Sequence, residues 1–335
     1  MNHTIIIAEA GVNHNGSIQL AKELIDAASE AGVDYVKFQT FKAKNIASKH
    51  ARKADYQLQS MNDQDESQLN MLKKLELDLD AHHQLIAYCK QKRIEFLSTP
   101  FDLDSIDLLK SLEIKLGKVP SGEITNLPYL RKMAQSFEKI VLSTGMATMD
   151  EVASALSVLY KEGKHKDDII VLHCTSEYPS PIEDVNLKAM LQMKAEFDIT
   201  VGYSDHTLGI EIPVAAVAIG ARLIEKHFTL DKGMEGPDHG ASLDPGELKQ
   251  MATAIRNIEK ALGTGIKAPT ATEEKNKQVA RKSIVAAAPI KQGDILSEAN
   301  LTTKRPGTGI SPMEWDSIVG KVAIKDFEED ELITV

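Results

Sequence analysis

Short, β-branched apolar runs recur from the N-terminus. Between them lie stretches whose apolar residues step by three and four. The runs fall at residues 5–8, 35–38, 96–98, 116–119, 140–142, 169–172, 199–202 and 222–225. They are brief and uniformly apolar, the pattern of parallel strands buried on both faces. In one intervening stretch Leu20, Leu24, Ala28 and Ala31 share a helical face, and Gly32 follows as a stop. In another, Val152, Ala155, Leu156 and Leu159 precede Gly163; in a third, Leu248, Met251, Ile255, Ile258 and Leu262 precede Gly263. Eight strand–helix alternations predict a (β/α)8 TIM barrel over 1–263. A doubly wound open sheet is the competing reading. It would show a phosphate-binding glycine fingerprint in its first turn, but that turn reads Gly11-Val12-Asn13-His14-Asn15-Gly16.

Two segments break the rhythm. Residues 41–79 form a polar, charged excursion before a helix at 80–91, the kind of insertion that serves as a lid or binding loop. After Gly263 the chain turns polar over 264–280, as a linker does. Residues 281–335 then read as a small β-rich domain with strands at 283–286, 289–293, 295–301 and 304–309. About 55 residues make a marginal core alone.

Composition narrows the partners. A formal net charge of −10 argues against nucleic acid, whose phosphates call for a basic stripe. The first apolar run has no basic flank and is too short to span a membrane, so a cytoplasmic protein with no membrane partner is expected. Cys89 and Cys174 lack metal or redox spacing and fit free thiols in a reducing compartment.

Barrel chemistry sits at the C-terminal ends of the strands, and every run here ends in polar groups. Lys37 and Lys118 supply ammonium charge. Ser121, Ser143 and Ser204 supply hydroxyls, and Gly122 and Gly145 admit backbone amides. Spread over four strands of one barrel, these groups suit a site for phosphate or carboxylate. His206 and His227 hold matching positions on the last two strands and are the metal candidates; spacing alone leaves a hydrogen-bonded structural role equally open. Glu9 and Glu123 are the acid–base candidates, with ion pairs to Lys37 or Lys118 as the alternative. The ring suits a phosphorylated anion beside a divalent metal, and leaves aldolase, isomerase and condensing synthase all open.

The ordered set Ala8-Glu9-Ala10-Gly11-Val12-Asn13-His14-Asn15-Gly16, Val36-Lys37-Phe38-Gln39-Thr40, Ser98-Thr99-Pro100-Phe101, Pro120-Ser121-Gly122-Glu123, Ser143-Thr144-Gly145-Met146, Ser204-Asp205-His206-Thr207, Glu225-Lys226-His227-Phe228 and Gly236-Pro237-Asp238-His239 resembles the sialic acid synthase family. Thr303-Lys304-Arg305-Pro306-Gly307 lies in a segment similar to that family's antifreeze-like (SAF) domain.

The resemblance implies a transferase that condenses phosphoenolpyruvate with N-acetylmannosamine and water, giving N-acetylneuraminate and phosphate. The related alternative is N,N'-diacetyllegionaminate from 2,4-diacetamido-2,4,6-trideoxymannose. It implies a divalent ion, manganese before magnesium, on His206 and His227, and phosphoenolpyruvate on Lys37, Lys118, Ser121, Ser143 and Ser204. It further implies proton handling by Glu123, sugar contacts from Glu9, Gln39, Thr99, Tyr178 and Asp238, and a homodimer in which Arg305 of one small domain covers the other copy's site. Some family members carry Asn where this chain has Ser176, which bears on substrate choice. A metal-dependent aldolase would use the same groups without releasing phosphate. Ice binding by the small domain is disfavoured by the charges between Asp294 and Arg305.

Overall fold

A computed structural model describes residues 3–48 and 67–335, which fall into two compact units, Met1–Gly263 and Thr264–Val335. In the first unit eight parallel strands are ordered β3-β2-β1-β8-β7-β6-β5-β4. They are β1 Ile5–Gly11, β2 Tyr35–Thr40, β3 Glu95–Pro100, β4 Leu116–Val119, β5 Lys139–Ser143, β6 Ile169–Cys174, β7 Thr200–Asp205 and β8 Leu223–His227. β3 and β4 lie side by side at the seam, so the sheet is a nearly closed TIM-type barrel with helices outside.

Alternation along each strand explains the layering. Ile6, Ala8, Val36, Ile140, Val171 and Ile224 face outward into the main core beneath the helices. Ile7, Leu97, Val141, Leu172 and Leu223 face inward and plug the barrel. Two residues further along the same strands stand Glu9, Thr99, Ser143, Cys174 and Glu225, all buried. The apolar plug is therefore the floor on which a polar layer rests. Outer helices are anchored by ordinary capping. Ser17 caps Ile18–Ala31, which ends at Gly32 with φ 74°, and Thr148 with Glu151 forms a capping box on Met149–Lys161.

Most strands run past the expected apolar stretches, because polar residues at their C-terminal ends still join the ladder: Glu9 pairs with Lys37, and Gln39 with Thr99. The 41–79 excursion contributes short helices Ala43–Ile46 and Gln68–Leu75; its residues 49–66 lie outside the described residues. The helix expected at 80–91 is Leu79–Lys92.

The second unit differs more from expectation. Strand β9, Ser283–Ala286, pairs antiparallel with β10, Leu301–Lys304. Residues 289–293 form no strand; of 295–301 only Leu301 joins one, and of 304–309 only Lys304. Single bridges such as Ile290 to Phe327 and Ile295 to Val322 replace the ladders; Gly293 ends the 289–293 run and Pro306 breaks the 304–309 run. Ile284, Ile290, Leu296, Leu301 and Phe327 form this unit's own small core. The polar stretch 264–280 contains a capped helix, Ala271–Ala280, with no buried residue.

Candidate active site

The polar layer is a charge-balanced cluster. Lys37 Nζ forms an ion pair with Glu9 and donates to Thr99 Oγ1 at 2.8 Å. Lys118 Nζ donates to Ser143 Oγ at 2.8 Å. Glu225 stands between the lysines, 3.2 Å from Lys118 Nζ and 3.6 Å from Lys37 Nζ, and accepts from Ser204 Oγ at 3.0 Å. All seven groups are at most 5% exposed. Burial alone would raise the Glu225 carboxyl, but the ammonium groups of Lys118 and Lys37 and the Ser204 hydroxyl outweigh it and hold the carboxyl down. Burial pulls Lys37 down to about 7 against the opposing pull of Glu225.

The sequence reading missed Glu225. The signal was present: it lies two residues before His227 and two after Leu223, so alternation places all three on one face. Thr99, expected near the sugar, belongs to the lysine floor. Glu9 and Lys37 form an ion pair, with Glu9 Oε1 left buried and without a hydrogen-bond partner.

His206 and His227 lie together, ring centroids 5.6 Å apart, and Tyr178 packs 4.2 Å from His206 and 5.8 Å from His227. His206 Nδ1 is 2.6 Å from the Thr175 carbonyl oxygen. A carbonyl only accepts, so Nδ1 carries the proton and Nε2 keeps a free lone pair. Burial holds both imidazoles below their usual range, His227 well below. Two neutral rings, one with its lone pair fixed and the other with a buried unpartnered Nδ1, fit a borderline divalent cation. No group of three His, Cys, Asp or Glu side chains suited to a metal occurs among the described residues, so water or substrate oxygens would complete the coordination.

Gly11, at φ 53°, is where these groups converge. A Cβ there would meet Glu9 Oε1 at 3.2 Å, Gln39 Nε2 at 3.4 Å and His227 Cε1 at 3.5 Å. Gly145 is equally constrained: its N–H donates to Ser121 Oγ at 3.0 Å, and a Cβ would strike Ser176 Oγ. Gly122 is exposed and uncrowded.

A cavity of about 860 Å³ opens above, and Gln39, Glu123, Asn126, Tyr178, His227 and Asp238 supply polar groups to its lining. Glu123 is half-buried in the turn after β4, its Oε2 accepting from Asn126 Nδ2 at 2.6 Å. Asp238 is pushed up to about 6 by burial. Its loop is pinned by His239, which bonds Thr229 Oγ1 at 2.6 Å and Asn15 Oδ1 at 3.2 Å. Lys226 and Asp205, on the outward faces of β8 and β7, form a fully buried ion pair outside the cavity. Arg305 lies exposed in the second unit, its Nε donating to the Ala280 carbonyl at 3.0 Å. Cys89 and Cys174 are free buried thiols, and no described helix is long and apolar enough to cross a membrane.

Residues 24–267 match the NeuB family and residues 281–334 match the SAF domain. The chain is 59% identical over 333 residues, 99% of each chain, to N,N'-diacetyllegionaminic acid synthase of Campylobacter jejuni. It is 49% identical to the enzyme of the same name from Legionella pneumophila, covering 94% of this chain and 89% of that one. The crystal structure of N-acetylneuraminic acid synthetase from Leptospira borgpetersenii superposes with a TM-score of 0.71 at 35% identity, covering 82% of this chain and 90% of that one. A synthase-type barrel followed by a SAF domain, matched over nearly its whole length, makes this chain a member of the NeuB family.

Proposed function

We propose that the protein joins phosphoenolpyruvate to open-chain 2,4-diacetamido-2,4,6-trideoxymannose, giving N,N'-diacetyllegionaminate and inorganic phosphate. The observation that carries the reaction is the Lys37–Glu225–Lys118 bridge, set beside the paired histidines beneath a sugar-sized cavity. The relatives at 59% and 49% identity support this sugar. N-acetylmannosamine is the second reading, favoured by the structural match to the Leptospira enzyme.

In this reading Lys37, Lys118, Ser121, Ser143 and Ser204 hold the phosphate and carboxylate of phosphoenolpyruvate as charge-assisted donors. Glu225 lies against both lysines and balances their charge in the buried layer. Gln39, Tyr178 and Asp238 orient the sugar while Glu9 grips its hydroxyls. C3 of phosphoenolpyruvate then bonds to the aldehyde carbon, water adds at C2, and phosphate leaves by C–O cleavage. Glu123, half-buried and fixed by Asn126, takes the proton of the attacking water. His206 and His227 would hold manganese or magnesium, which when bound supplies Lewis-acid polarisation of the aldehyde. Arg305, from the small domain of a second copy in a homodimer, reaches the acetamido group.

Phosphate release from phosphoenolpyruvate with added manganese tests this. The expected outcome is release that depends on sugar and is faster with the diacetamido sugar than with N-acetylmannosamine. Faster release with N-acetylmannosamine selects the second reading. No release with either sugar, from folded protein, points to an aldolase-type reaction instead.

A further inference from the structure

We propose that Lys226 and Asp205 are positioning residues for the paired histidines: their buried ion pair fixes the two imidazoles relative to each other from behind the barrel wall. This rests on the proposed divalent-ion site at His206 and His227 and identifies what holds that site in register.

The two histidines start from unequal support. His227 lies within β8 and is paired across the ladder with Glu9 of β1. His206 is the first residue past β7, whose ladders to β6 and β8 end at Ser204 and Asp205. Its carbonyl oxygen accepts from the Ser180 amide at 2.9 Å, and its Nδ1 donates to the Thr175 carbonyl. Both of these ties run to the loop after β6, and neither reaches β8.

Lys226 supplies that tie. It immediately precedes His227 and is the ladder partner of Asp205. Its Nζ forms an ion pair with Asp205 and donates to the Thr207 carbonyl oxygen at 2.6 Å. One ammonium group on β8 therefore grips the residues on both sides of His206. Asp205 closes the same turn from its own end, its Oδ1 accepting from the Thr207 amide at 3.1 Å and from Thr207 Oγ1 at 2.9 Å. All three residues are at most 1% exposed. Asp205 and Lys226 point outward, while the histidine rings beside them meet with centroids 5.6 Å apart.

The outward face is otherwise apolar here. Tyr203 and Ile224 stand one outward position earlier on the same two strands, in the main core. Burying an ion pair in such a place takes two charges out of water, and an apolar pair of similar size would hold the strands together as well or better. Hydrocarbon cannot supply directed contacts, however: it bonds neither the carbonyl nor the amide of Thr207. The pair is therefore spent on geometry rather than on stability.

The test titrates manganese alone into metal-free protein and follows the free ion by electron paramagnetic resonance. It compares wild type, His206→Ala, the paired Asp205→Leu, Lys226→Met protein and Thr207→Val. His206→Ala should abolish binding. The paired replacement removes one charge of each sign, so the net charge beside the histidines is unchanged and lost affinity reports geometry. It should unfold at no lower urea concentration than wild type, yet bind manganese about ten to a hundred times more weakly. Thr207→Val keeps both charges, loses one bond to Asp205 and should show a smaller loss in the same direction. Wild-type affinity in the folded paired variant would overturn the positioning role and leave the metal site standing; if that variant does not fold, wild-type affinity in Thr207→Val does the same. Binding that survives His206→Ala, or none in wild type, would overturn the metal site and this inference with it.

Discussion

Taking two ammonium groups out of water costs several kcal/mol per ion unless each is compensated. Lys37 and Lys118 face one small volume at the barrel mouth, and among the described residues only Glu225 forms ion pairs with both. Its removal therefore exposes their mutual repulsion as well as their desolvation. Glu225→Gln should lower the unfolding free energy by about 3–5 kcal/mol, read from urea unfolding midpoints at constant slope. The loss should be larger at pH 6 than at pH 9. Lys37 is already pulled down to about 7 by burial, so above that pH it sheds its charge and no longer draws stability from Glu225; below it the full ion pair is at stake. A loss under about 1 kcal/mol at pH 6 would mean the lysines do not depend on this carboxylate. Glu225 also shows why the site was only partly legible. Lysines and histidines stand out at the strand ends, while a glutamate between Ile224 and Lys226 reads as one more surface charge until the strand's inward face is counted from Leu223.

For the strands, what the sequence concealed was their ends. Apolar runs mark where a strand must be buried, and the ladder continues through polar residues whose side chains line the site. The eight expected runs sit on the eight strands, yet most strands extend one to three residues further at their C-terminal ends. In the second unit the error ran the other way, because backbone pairing there is made one bridge at a time. Backbone spacing in the barrel is also set by glycine. In β7 a Cβ on Gly202 would overlap the Leu223 carbonyl of the neighbouring strand and come within 2.6 Å of Leu172 Cδ2. The obstacle is partly backbone in the β7–β8 ladder, so relief requires the strands to part. Gly202→Ala should cost about 2–3 kcal/mol of stability and slow phosphate release, since Ser204 and His206 follow on the same face. Gly122→Ala, with nothing within 4 Å of the added atom, should stay within about 0.5 kcal/mol of wild type. Equal stability losses in a calorimetric comparison would show that strand spacing is not what Gly202 protects.

On the scale of the whole molecule, the chain carries a separate small core in residues 284–333. Such a unit has a catalytic reason to exist if it supplies a group that the barrel lacks. Arg305 is the candidate: exposed, held among the described residues by one bond to Ala280, and carrying a fixed fork of donors suited to an amide oxygen. If it serves a second copy, the working site is made from two chains, and two differently damaged chains can repair each other. Glu123→Gln should lower turnover on the order of a hundredfold by removing the proton acceptor, and Arg305→Ala should weaken sugar use with little effect on phosphoenolpyruvate. Co-expressed, the two chains can form a mixed dimer in which the Arg305→Ala barrel receives an intact arginine from its partner. Random assembly makes half the dimers mixed, each with one whole site of two, so recovery should approach about a quarter of wild-type activity. If Arg305 instead serves its own chain, the mixed dimer contains no whole site, and activity stays at the average of the two single variants. Differential tags on the two chains isolate the mixed dimer, and its phosphate release decides between the two arrangements.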